Sequence, residues 1–133
     1  MKNLITAAAC LMVLMAILVQ FTHSQVLHMR LTAADQAVSV FGQNVRQEGC
    51  VSQTSQKKLK QELASLFQCT EEDITVEGNT VPVFRGNVIS FTVSTTVDNV
   101  IAAAPFWNLR QGNNQFEYKV CRNVTSEYTG REL

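Results

Sequence analysis

Nothing in this chain interrupts a helix before Gly42, because neither proline nor glycine occurs ahead of it. Within that stretch Leu4 to Val19 carries no charge, and Thr6 is its one clearly polar side chain. Phe21 extends the apolar run to about the eighteen residues needed to cross a bilayer's hydrocarbon core. Residues 1–25 therefore read as a membrane anchor in which Leu4, Ala8, Leu11, Leu14, Ile17, Leu18 and Phe21 face lipid or a neighbouring helix. Ala7, Ala8, Ala9 and Ala16 are small enough to let another helix approach closely.

The pattern then changes without a break in helix formers. Leu27, Leu31, Ala34, Val38, Phe41 and Val45 recur at spacings of four and three, while His28, Thr32, Asp35, Ser39, Gln43 and Arg46 form the opposite stripe. The two halves are predicted to make one rod of roughly 44 residues, about 66 Å long at 1.5 Å per residue. Residues 26–48 would be a stem outside the membrane, with an apolar seam to be covered. Lys2 and the amino terminus favour an N-terminus on the inside. The competing reading is a cleaved signal peptide, with Lys2 as its charged region, a cut after Thr22-His23-Ser24 and a secreted small binding domain starting near Gln25. Thr22 and Ser24 make a poor small-x-small site, and the anchor is the preferred reading.

Residues 26–133 are enough for one extracytoplasmic domain with a modest core. The chain has 11 basic and 11 acidic residues. It thus has no net field to attract nucleic acid.

After Gly49 and a connection from Cys50 to Gln53, Thr54 or Ser55 is placed to cap a second helix over 54–68. Leu59, Leu63, Leu66 and Phe67 form its inward face, and Lys57, Lys58, Lys60 and Glu62 its outward one. From Asp73 the period becomes two, with Ile74 and Val76 on one side and Thr75 and Glu77 on the other. Gly78-Asn79 is a turn, Val81 to Arg85 an edge segment limited by Pro82, and Gly86-Asn87 a hairpin signal. Val88 to Val97 is the strongest strand, with Ile89, Phe91, Val93 and Val97 sharing a face. Phe116 to Val124 is the last, presenting Phe116, Tyr118 and Val120. The expected fold is α+β: a long transmembrane-plus-amphipathic helix, a short second helix, and a small antiparallel sheet of three to four strands over 73–125, covered by the helices.

The segment Val100-Ile101-Ala102-Ala103-Ala104-Pro105-Phe106-Trp107 is apolar throughout, which a solvent loop should not be. Either it folds over the bottom of the core, or it is a contact surface with Trp107 at the membrane interface or in a partner's pocket. Leu27, Leu31, Val38, Phe41, Ile101, Phe106 and Trp107 are accordingly the candidate interface residues.

Cys10 lies within the apolar run. Among Cys50, Cys69 and Cys121, an intervening helix would hold the first two too far apart to bridge; in a reducing compartment all three would be free, and if a bond forms Cys69 with Cys121 is the candidate disulfide. No CxxC or zinc-type Cys/His spacing occurs, and no nucleophile elbow, phosphate loop or carboxylate pair can be assembled. Catalysis, a cofactor and a metal are not expected. Asn123-Val124-Thr125 matches a glycosylation sequon within a strand-like stretch.

An N-terminal anchor continued by a helix, then a second helix and a small sheet, resembles the TadE-like pseudopilins of tight-adherence (type IVc) pilus systems in bacteria. The resemblance rests on the apolar helix, the alanine-rich Arg30-Leu31-Thr32-Ala33-Ala34-Asp35-Gln36-Ala37 passage, the Asp73-Ile74-Thr75-Val76-Glu77-Gly78 strand entry and the Val88 to Val97 strand. It implies a single-pass minor pilin-like component of a pilus or secretion assembly, acting by binding and adhesion among membrane lipid and other pilin-like or assembly-platform subunits in a hetero-oligomer. The glycine of the family's processing site and the early glutamate of its mature helix have no counterpart here, since no acidic residue precedes Asp35. Processing is therefore not carried over by the resemblance.

Overall fold

The computed structural model describes residues 1–130 apart from Ala103 and Pro105, so those two residues of the apolar segment lie outside the described residues. Its elements are α1 (Lys2–Glu48), α2 (Gln53–Phe67), β1 (Thr75–Gly78), β2 (Val88–Asp98) and β3 (Gln115–Thr125), with single 3-10 turns before β1 and before β3. The three strands form one antiparallel sheet in the order β1-β2-β3, and β1 meets β2 with Val76 opposite Val93. The α+β architecture expected from the pattern is the one observed.

Two compact units divide the chain. One comprises Met1–Met29 with Val97–Phe116, and the other Arg30–Thr96 with the chain from Glu117 onward. The domain read from sequence as 26–133 is thus split, with Val97–Phe116 grouped with the apolar half of α1.

In the second unit, the helical seam is the core. Ala34, Val38, Phe41 and Val45 are buried, as are Leu59 and Leu63 of α2 and Ile74, Val76, Ile89, Phe91 and Val93 of the sheet. Phe41 meets Phe91 edge-on, with ring centroids 5.1 Å apart at 86°. Gly42 lies beside the same ring, where a Cβ would sit in van der Waals contact with Phe91 at 3.4 Å. The Phe67 and Tyr118 rings meet at 5.5 Å. Burial of such side chains contributes about 1.5–3 kcal/mol each, which is what a short helix like α2 needs to persist.

The punctuation of the chain is set by a few residues. Gly49 ends α1 in the left-handed region (φ 75°), its N–H donating to the Val45 carbonyl. The N-cap of α2 is Ser52, whose Oγ accepts from the Ser55 N–H at 3.2 Å, and not Thr54 or Ser55. The helix starts earlier because a β-region Ser52 already satisfies one of the orphan amides. Val81 to Arg85 is not a strand. Its backbone instead reaches across, Val83 N to Gly49 O at 2.9 Å and Arg85 N to Tyr128 O at 2.8 Å. The following turn is centred on Arg85-Gly86, because the Asn87 N–H returns to the Phe84 carbonyl and the positive φ falls on Gly86.

Candidate functional site

The first half of α1 is apolar and uncovered. Its best eighteen-residue window has a mean hydropathy of 2.5 with none of it buried. Leu4, Ala8, Leu11, Leu14, Ile17, Leu18 and Phe21 are all exposed. A surface of this kind on a monomer marks membrane or protein contact, and the helix is long and apolar enough to span a membrane.

Just at the end of that run the polar side chains of α1 turn onto the apolar segment. Gln20 Nε2 donates to the Val100 carbonyl at 3.4 Å and to Ser24 Oγ at 3.2 Å, while its Oε1 accepts from the Ala102 N–H at 2.9 Å. His23 Nε2 lies 2.5 Å from the Asn99 carbonyl, so this nitrogen carries the proton. From the other side buried Asn114 closes a side-chain ring on Ile101, accepting from its N–H at 2.6 Å and donating to its carbonyl at 3.1 Å. The Asn114 carbonyl also accepts from the Val100 N–H. Ile17, Gln20, Phe21, Ser24, Ile101 and Trp107 line an open groove of about 470 Å³. Phe106 and Trp107 pack edge to face at 5.1 Å yet remain 60% and 47% exposed.

The candidate interface residues therefore separate into three sets. Ile101, Phe106 and Trp107 are brought together beside the end of the apolar run. Leu27 and Leu31 are half-buried. Val38 and Phe41 are core, not interface, because the chain's own sheet covers the seam and leaves them 0% and 3% exposed. Gln20, His23 and Asn114 were not singled out as a group in the sequence. The first was the available signal, a polar residue set into an otherwise apolar run; nothing local marks Asn114.

None of the four cysteines is in a disulfide. The expected Cys69–Cys121 pair is not formed: Cys121 stands exposed on the outer face of β3, with its sulfur 3.0 Å from Thr92 Oγ1 on β2. Ser90 donates to Asn123 on the same polar face at 2.8 Å. Burial, with the Glu48 carboxylate adding to it, pushes the Cys50 thiol up. Among the described residues, no three His, Cys, Asp or Glu side chains gather as a metal site would require. No family model, curated protein or solved structure matches the chain.

Proposed function

We propose that this is a single-pass membrane protein that works by binding and assembly, a minor pilin-like component of a tight-adherence type pilus or secretion system. The observation that carries the reading is the division of one unbroken 47-residue helix. Its N-terminal half is apolar and bare, suited to lipid and to neighbouring helices. Its C-terminal half is the spine of a small α+β fold, as the pilin-like resemblance implies. The N-terminus is inside and the folded part extracytoplasmic, and the partners are other pilin-like or platform subunits.

The signal-peptide alternative is disfavoured by Gln20 and His23. A cut after Ser24 would separate the domain from the two α1 side chains that bond the Val100, Ala102 and Asn99 backbone groups, contacts that favour an uncut chain.

Three measurements test the proposal. The chain should resist alkaline extraction from membranes, and its residues beyond Gln25 should be digested by protease added to intact cells. A photo-crosslinker at Leu11 or Leu14 should then capture another single-helix membrane protein of pilin-like length. A soluble product beginning near Gln25 would overturn the anchor, and adducts to lipid alone would overturn the assembly role.

A further inference from the structure

The backbone at the start of the apolar segment, from the Asn99 carbonyl to the Ala102 amide, is bonded within the protein. A solvated loop leaves its carbonyls and amides to water, whereas a non-helical stretch at membrane depth has to find partners within the protein. Here the Asn99 carbonyl, the Val100 amide and carbonyl, the Ile101 amide and carbonyl, and the Ala102 amide all have protein partners, supplied by His23, Gln20 and Asn114. Farther on, the Leu109 amide closes back on the Ala104 carbonyl at 2.9 Å.

Composition and position agree with that pattern. No charged residue lies between Asp98 and Arg110. The groove beside the segment takes Ile17 and Phe21 from the apolar run itself and ends at Ser24. These positions cover about 10 Å of helix where the run gives way to polar residues. Trp107, exposed and edge to face with the exposed Phe106, has the amphipathic aromatic character that is enriched at headgroup level.

We propose that Val100, Ile101 and Ala102, with Phe106 and Trp107, form an interfacial membrane element held by Gln20 and Asn114, and that the groove of Ile101 and Trp107 against Ile17–Ser24 is occupied by the glycerol-proximal part of a phospholipid acyl chain. The proposal rests on the anchor reading above, and deepens it. Lipid is the occupant because the groove is continuous with the apolar run of α1, carries no charge, and lies against Ile101, whose amide and carbonyl are bonded to Asn114. Its effect would be to fix the rotation and depth of α1 with a second attachment.

The chain contains a single tryptophan, Trp107, so its own fluorescence reports on this site. The full chain is reconstituted in phosphatidylcholine vesicles carrying bromine either near the glycerol or near the methyl end of the acyl chains. The expected result is blue-shifted emission, quenched more by the glycerol-proximal bromines than by the deep ones, and little quenched by acrylamide. Gln20→Ala, which releases Val100 and Ala102, should lose lipid quenching while the chain still resists alkaline extraction. Strong acrylamide quenching with no bromine effect, in a chain that stays membrane-bound, would overturn the interfacial element and leave the anchor intact. Blue-shifted emission insensitive to both quenchers would assign Trp107 to a protein contact and also overturn it. Unchanged bromine quenching in Gln20→Ala would overturn the clamp. Failure of the wild-type chain to join vesicles at all would overturn both readings.

Discussion

The Tyr118 hydroxyl donates to Asp35 Oδ1 at 2.6 Å, linking the sheet to the polar stripe of α1. Burial of the ring, the hydrogen bond and the Asp35 charge together hold the phenol well above its ordinary range. Tyr118→Phe should cost about 1–2 kcal/mol, the value of a hydrogen bond to a charged acceptor less the resolvation of exposed Asp35. The sign of the pH effect follows from where the proton sits. Above the ordinary phenol value of about 10, the unfolded chain gives up this proton while the folded chain keeps it. Stability contributed by the shift is thus complete at neutral pH and declines as pH rises past that value. Denaturant melting in detergent across this range should show a shallower decline for Tyr118→Phe than for the wild type. Parallel curves would show that Tyr118 is not the group responsible.

A second expectation concerns the seam. Phe41 is buried against Phe91, so Phe41→Ala should cost about 3–5 kcal/mol if the site cannot collapse. Gln43, exposed on the opposite stripe, should change stability by less than about 0.5 kcal/mol when made Ala. Small, equal effects in detergent melts would mean that the core is held by residues other than the seam.

The helices and strands were legible because their periods are strong. Ile89, Phe91, Val93 and Val97 alternate with polar neighbours along β2, and Leu59 and Leu63 mark the inner face of α2. Local punctuation was read less well. Thr54 and Ser55 are as good a cap as Ser52 by residue type, and only the β-region backbone of Ser52 decides between them. Val81 to Arg85 has strand-like residues, yet its amides are taken by Gly49 and Tyr128, both distant in sequence. The clamp on the apolar segment was illegible for the same reason. Gln20 and Ala102 are 82 residues apart, and side-chain to backbone bonds of that range leave no periodic trace.

The cap itself gives a discriminating pair. Ser52→Ala removes the acceptor of the Ser55 amide and should lower stability by about 1 kcal/mol, within the usual range for caps. Thr54→Ala, at an exposed position inside the first turn, should fall within about 0.5 kcal/mol of the wild type. The reverse order in helicity and melting would place the cap at Thr54.

Gly49 and Gly86 both have positive φ, but their surroundings differ. A Cβ at Gly49 would come within 2.7 Å of Tyr128 Cβ and 2.8 Å of the Val83 carbonyl, whereas Gly86 has nothing within 4 Å. Gly86→Ala should therefore cost about 1 kcal/mol for the backbone conformation alone. Gly49→Ala should cost more, about 2–3 kcal/mol, because the Val83 backbone must also move. Equal losses in side-by-side melts would mean that the Tyr128 and Val83 segment yields freely.

Thr95 stands on the inward face of β2, 3% exposed, where its neighbours on that face are Val93 and Val97. Its hydroxyl is buried with no hydrogen-bond partner among the described residues. A hydroxyl left unpaired away from water opposes folding by about 1–3 kcal/mol, and valine has the same shape without it. Thr95→Val should accordingly stabilise the fold by about 1 kcal/mol, the methyl filling the space the oxygen occupied. β-propensity favours neither residue strongly, so the difference reports on the hydroxyl and not on the strand. Denaturant melts of the two chains in detergent measure it directly. A loss of stability in Thr95→Val would show that the hydroxyl is bonded in the folded protein, through a water or another side chain, and that the polar break in the Ile89 to Val97 face is a structural requirement.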